Sequence, residues 1–600
     1  MNEGYLPTRQ EIPGQYKWRL EDIYPGDDAW DQDYRKALDL AARAELFKGR
    51  LGSSARTLLE AFQLQEQLEA LNEKIYTYAR MRRDEDNTNS VYQALTDRAD
   101  SLSARVQASV SFYVPEILAV PDETLKQFLQ EEPGLVPYRF MLEELVRQKP
   151  HILSAEEEQI IARAEEVTQA SANIFRMINN ADLTFDPVRD ERGREVELTH
   201  GRYLQFMESG DRRLRRDAFA SLYSSYCRLQ NTLAATLGAS VKKDVFYARI
   251  RKYPSALKAS LFADNVSVEV YDNLIRTVRE NLEPFYRYMR LRKKLLGLDK
   301  LHMYDIYNPV VQDIDWKIPY QEGVNVVRDG LVPLGDAYVE TMVRGINSGW
   351  VDVYENKGKT SGAYSWGPYG THPYVLLNYQ DNLNNVFTLA HEMGHAMHSY
   401  YSFKTQPYVY AHYKIFTAEV ASTVNESLLM QYLLQTVKDR GKKIYLLNHY
   451  LEQFRGTVYR QTMFAEFEKV IHERVEAGEA LTPELLCRIY HGLNVDYYGP
   501  DVMVDSDVDM EWARIPHFYN AFYVYKYATG FSAATALTRR ITEEGGSAVA
   551  RYIGFLHQGG SDYPLNLLDS AGVDMTTPQP VQECLAVFAR LVAELESLTL

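Results

Sequence analysis

His391-Glu392-Met393-Gly394-His395 follows Phe387-Thr388-Leu389-Ala390 and runs on into Ala396-Met397-His398. The apolar flanks predict a continuous, largely buried helix beginning near Asn384. On a helix, four residues advance ~400° and ~6 Å, so His391 and His395 leave one face about a turn apart. Two imidazoles at that spacing can grip one divalent ion, and Glu392, ~100° round the helix, stands where it can hold a water beside that ion. With 13 His in 600 residues, a chance His-Glu-x-x-His match is roughly a two-in-a-hundred event. The context therefore matters as much as the motif. Gly394 in mid-helix costs ~1 kcal/mol relative to Ala, which predicts close approach of a neighbouring element. His398 lies ~10 Å along the axis from His391, too far to share an ion, and reads as a packing or supporting residue.

A catalytic zinc needs a third protein ligand and an open position. Downstream, Phe416-Thr417-Ala418-Glu419-Val420-Ala421-Ser422-Thr423-Val424-Asn425-Glu426 places two carboxylates within ~20° on one otherwise apolar and small-residue face. Burying carboxylates there is costly unless a cation or donors are present. Spacing leaves open which of Glu419 and Glu426 reaches the ion and which orients a histidine from behind.

Upstream, glycines 358, 362, 367 and 370 with prolines 368 and 373 predict a mobile loop before a strand, Tyr374–Tyr379, on which a peptide substrate could add as a further strand. From about Trp30 to Ile178 apolar residues recur at helical spacing, as in Leu64, Leu68 and Leu71, and Ser154 with Glu157 reads as a capping box. Two β-prone runs, Leu183–Phe185 and Val196–Leu198, flank a charged turn at Gly193 and suggest a boundary. The expected organisation is a helical domain, residues 1–182, and a catalytic domain, residues 183–600. The basic run Arg212, Arg213, Arg215 and Arg216 reads as a solvated helix face rather than an anion site, since acidic residues border it.

The composition, 46% hydrophobic and 25% charged, is that of an ordinary folded protein. A formal charge of -16 repels phosphate backbones and anionic membrane surfaces, so neither nucleic acid nor membrane is expected as a partner. Three dispersed cysteines, Cys227, Cys487 and Cys584, fit a reducing compartment and exclude a cysteine zinc cluster. Met1–Tyr24 lacks the apolar block of an export signal, and no stretch approaches ~20 apolar residues. Cytoplasmic residence is the expectation.

The block from His391 to His398, the Ala418-Glu419-Val420-Ala421-Ser422-Thr423 block, and Ile515-Pro516-His517-Phe518-Tyr519 with Tyr523-Val524-Tyr525-Lys526-Tyr527-Ala528-Thr529-Gly530 together resemble the oligoendopeptidase F group of thimet-oligopeptidase-like zinc metallopeptidases. The resemblance runs over nearly the whole chain. It implies a mainly α, zincin-type fold with a small β-sheet and a deep substrate channel between two halves. It implies one Zn2+ per chain held by His391, His395 and Glu419, with Glu426 behind them and Glu392 as general base. It implies internal cleavage of short, unstructured oligopeptides. It also brings His517 and the tyrosines after it to the site. Read as one helix, Tyr519, Tyr523 and Tyr527 share a face and Tyr525 points elsewhere; Tyr523 or Tyr525, with His517, is the expected donor to the carbonyl oxygen. Two other readings compete: an exopeptidase on the same metal, and a helical peptide-binding scaffold with an inactive site.

Overall fold

Apolar residues three and four apart become α-helix through most of the chain. The structure, a computed structural model, describes residues 6–311, 314 and 316–599; Met1–Tyr5, the start of the stretch read for an export signal, lie outside the described residues. The fold is mainly α, with three small sheets of two, two and three strands among the described residues. No helix among them is long and apolar enough to cross a membrane.

The chain forms two compact units, and its path alternates between them. The first comprises Met1–Lys149, Trp316–Tyr432 and Leu537–Gly572. Its N-terminal helices, Asp27–Ala44, Ala55–Glu85 and Ser90–Val110, pack around Trp18, Trp30, Leu68, Tyr78 and Leu102, with Tyr374 and Leu376 of a strand joining the same core. Burying two Trp and their neighbours removes several hundred Å² of apolar surface from water, at ~25 cal/mol per Å². The second unit comprises Pro150–Asp315, Leu433–Ala536 and Val573–Leu600. The capping box that opens its helix Ala155–Thr168 forms as read, Ser154 and Glu157 exchanging bonds.

The three-stranded sheet of the first unit places Tyr374–Leu376 between Val351–Asp352, parallel to it, and Tyr364–Trp366, antiparallel. This corrects two expectations. The strand is shorter than Tyr374–Tyr379, and it is central, so both its edges are already bonded and no peptide can add to it. The glycine-rich segment before it is not all loop, because Tyr364–Trp366 is an edge strand.

Near Gly193 the hairpin pairs Val188 with Val196 and Arg189 with Glu195. Leu183–Phe185 is not its first strand. The preceding helix continues as a wider turn through Ile178–Asp182 and ends on Leu183, while Asp190 accepts the backbone N–H groups of Arg192 and Arg194 and fixes the turn. The basic run is likewise not a plain solvated face. Arg215 is 2% exposed and pairs with fully buried Asp305 at 2.8 Å, and Arg212 reaches the same carboxylate at 2.8 Å. Burial raises the cost of charging Asp305, yet the two guanidinium groups hold its pKa below the usual carboxylate range.

Candidate metal centre

The helix Leu383–Thr405 begins at Asn382, whose side chain accepts the N–H of Asn385. Leu389, Ala390, Met393, Ala396 and Met397 are buried, and this fixes which way His391 and His395 face. Helix Ile415–Thr436 lies directly against it. A Cβ built on Gly394 would stand 2.5 Å from the Ser422 Cα and 2.7 Å from the Ala421 carbonyl oxygen, so glycine there lets two backbones meet, as its position in mid-helix predicted. Asn425 ties the helices further: its amide donates to the Ala390 carbonyl at 3.0 Å and accepts from the Tyr338 hydroxyl at 3.0 Å.

That contact brings three donor atoms together. His391 Nε2 and His395 Nε2 are 3.2 Å apart, and Glu419 Oε2 lies 3.4 Å from the first and 3.5 Å from the second. A tetrahedral ion with bonds of ~2.0–2.1 Å requires donor separations of roughly 3.3–3.4 Å. The triangle fits. Among the described residues, His391, His395 and Glu419 form the one group able to hold a metal in this way. Glu426 takes the other nitrogen of His391, its Oε1 lying 3.4 Å from Nδ1, which leaves Nε2 on the side of His395 and Glu419. Ser422 donates to Glu419 Oε2 at 3.2 Å and steadies the carboxylate.

The electrostatics follow from this crowding. Burial pulls the His391 imidazole down, but Glu426, with Glu392 and Glu419, outweighs it and lifts the pKa to about 9. The hydrogen bond from His395, stronger than the opposing burial, brings Glu419 down to about 2. Burial pushes the Glu392 carboxyl above the ordinary carboxylate range although both histidines oppose it. His398 is fully buried, stacked on Tyr413 at 3.7 Å, and burial lowers it to about 3, so it stays neutral.

His517, Tyr523 and Tyr527 form a second cluster, in the second unit. The His517 ring stacks on Tyr523 at 6.2 Å, and its Nε2 lies 3.4 Å from the Tyr527 hydroxyl. Burial, then the nearby Arg460 charge, lower the His517 pKa. Tyr525 is elsewhere: it is 1% exposed and packs its ring on Tyr271 at 5.1 Å. The expectation of one continuous helix is corrected here. The helix starts only at Tyr525, and Tyr519 belongs to a separate short turn, its hydroxyl on Thr236 at 2.8 Å and its ring on Phe175. Sequence reasoning overlooked Asn425, Tyr338 and Tyr413; of these, the amide of Asn425 on a face of buried residues was the legible signal.

The pattern of peptidase family M3 matches residues 205–587, and that of oligopeptidase F matches residues 116–185. Oligopeptidase PepF of Bacillus subtilis is 48% identical over 99% of this chain and 88% of its own length. Group B oligopeptidase PepB of Streptococcus agalactiae is 42% identical over 98% of both chains. Among solved structures, one from Chlamydophila abortus superposes with a TM-score of 0.94 at 36% identity, covering 99% of this chain and all of that one. Oligoendopeptidase-F from Enterococcus faecium gives 0.74 at 39% identity over 95% and 99%. The chain belongs to peptidase family M3, within the oligoendopeptidase F branch of its metalloendopeptidases.

Proposed function

We propose that the chain hydrolyses internal bonds of short, unfolded oligopeptides with one zinc ion per chain held by His391, His395 and Glu419. The donor triangle with edges of 3.2–3.5 Å carries this reading. When bound, zinc supplies a Lewis acid that polarises the scissile carbonyl and makes water a nucleophile near neutral pH. Glu426 keeps the His391 ring in its ligating tautomer. Glu392, buried next to His391 and with its pKa raised by that burial, accepts the proton of the attacking water and delivers it to the departing amine. A carboxyl with a raised pKa is the better shuttle, since it must both take and give that proton.

Negative charge then gathers on the carbonyl oxygen, and His517 with Tyr523 is proposed to donate to it. Two features support the pair: the neutral state of His517 and the grouping of its ring with Tyr523. Tyr525, the alternative, has its ring in the core. Cytoplasmic residence belongs to the same proposal, supported by free Cys227, Cys487 and Cys584.

The test is Glu392→Gln assayed on a peptide blocked at both termini. Retained zinc with hydrolysis reduced by at least ~10³-fold is expected for a lost general base. Cleavage at the wild-type rate would remove Glu392 from its role, and no internal cleavage by wild type would turn the reading towards an exopeptidase.

A further inference from the structure

Between the short turn Pro516–Tyr519 and the helix starting at Tyr525, the chain turns at Ala521 and Phe522, and the φ of Phe522 is +58°. A bulky L residue in the left-handed region is a true outlier and persists only where its surroundings over-determine it. Here they do. The Phe522 ring is 1% exposed and sits in a cage of Tyr271, 5.9 Å away, and His472, 4.4 Å away. Its backbone N–H donates to Glu468 Oε1 at 3.0 Å. One residue earlier, Ser260 Oγ donates to the Ala521 carbonyl at 3.3 Å.

Glu468 is unusual in its own right. It lies mid-way along helix Arg460–Glu476 with 0% exposure. Among the described residues its second oxygen, Oε2, has no hydrogen-bond partner. Isolated ionised carboxylates are not left in such places, so a protonated carboxyl is the stable form. Burial raises its pKa well above the ordinary value, and Asp244 adds to the shift. The chain thus spends a buried acid on one backbone N–H.

The residue after that N–H is Tyr523. Its ring meets His517 at 6.2 Å and Tyr527 at 5.4 Å. Were Phe522 to relax to negative φ, the direction of the chain entering Tyr523 would change, and Tyr523, with the helix that carries Tyr527, would move away from His517. From this juxtaposition we infer that Glu468 is a positioning residue, which holds Phe522 in the left-handed conformation and thereby aims Tyr523 at the position it takes beside His517. Glu468 touches neither substrate nor metal ligands in this role. The inference rests on the reading that Tyr523 assists the reaction, and it adds the device that sets its direction.

The experiment is a double-mutant cycle of Glu468→Leu with Tyr523→Phe, read as kcat and KM on a blocked peptide, with zinc content measured for each variant. Misplacing a reacting group by about 1 Å costs on the order of 10²-fold in rate. Glu468→Leu should lower kcat by about that factor, leave zinc at the wild-type stoichiometry, and add little to the loss caused by Tyr523→Phe. Glu468→Gln, which keeps a carbonyl oxygen for the Phe522 N–H, should restore kcat to within about threefold. It also supplies the answer if Glu468→Leu does not fold: a Gln variant that is folded, zinc-replete and slowed more than tenfold overturns the inference. So does a fully additive cycle in which Tyr523→Phe is itself slow. A Tyr523→Phe enzyme at the wild-type rate instead overturns the underlying reading of Tyr523, and the positioning role falls with it.

Discussion

Replacing Gly394 with Ala tests the claim that one close backbone contact builds the metal centre. An ordinary carbon–carbon contact is about 3.5–4.0 Å. The new Cβ would stand 2.5 Å from the Ser422 Cα and 2.8 Å from its nitrogen. Those are backbone atoms and cannot rotate away, so the helix Ile415–Thr436 must retreat by about 1 Å. Two opposing terms act on stability. Ala gains about 1 kcal/mol of helix propensity over Gly, and overpacking costs about 1–3 kcal/mol, leaving a net loss of about 0–2 kcal/mol. The effect on metal should be larger, because Glu419 rides on the retreating helix and ligand distances tolerate only about ±0.2 Å. A loss of 10- to 100-fold in zinc affinity is expected, about 1.4–2.7 kcal/mol. Competition titration against a chromophoric chelator measures the affinity, and thermal melts with and without zinc separate the two effects. Gly554 is the control: it lies in helix Gly546–Leu556 with open space where a Cβ would go, so Gly554→Ala should gain up to about 1 kcal/mol and leave zinc binding alone. A Gly394→Ala protein that melts above wild type and binds zinc as tightly would refute the reasoning.

Glu426→Gln should weaken zinc about 10- to 100-fold by loosening the His391 tautomer, whereas Glu419→Ala should abolish stoichiometric binding; equal effects in a chelator titration would contradict the division of roles. Zinc affinity should rise with pH. In the metal-free chain His391 is protonated up to about 9, and that proton must leave before Nε2 can ligate, so the apparent constant should climb about tenfold per unit between pH 6.5 and 8.5 from this group; a flat profile by calorimetry would show that no such proton is displaced. Asp305→Ala should destabilise the fold by about 3–5 kcal/mol because it leaves Arg215 charged and buried without its partner; urea denaturation with a midpoint near wild type would contradict the buried ion-pair account.

The candidate metal site was legible in part because its histidines and carboxylates stand at helical spacing, which left open whether Glu419 or Glu426 joins the histidines; the resemblance selected Glu419, and the structure groups that residue with them. His391 and His395 share a face by arithmetic alone, Glu419 and Glu426 share one at a spacing of seven, and Gly394 flags the contact that joins the two helices. The tyrosine region was not legible by the same arithmetic. Tyr519, Tyr523 and Tyr527 recur every four residues, but a left-handed residue at Phe522 interrupts the helix between them, and no local propensity announces a phenylalanine in that conformation. Its causes are distant in sequence: Glu468 and the Tyr271 ring. Sheet order is non-local in the same way. Tyr374–Leu376 reads as a strand, yet only the partners Val351 and Tyr364 make it central rather than an edge. Asp305 likewise lies far along the chain from the arginines it buries.

The most direct measurement is anomalous diffraction at the zinc edge from crystals of the zinc-loaded protein. One peak per chain is predicted, ~2.0–2.2 Å from His391 Nε2, His395 Nε2 and a Glu419 oxygen, with one further position free of protein ligands. A peak coordinated by other side chains, or one closed by a fourth protein ligand, would contradict the account.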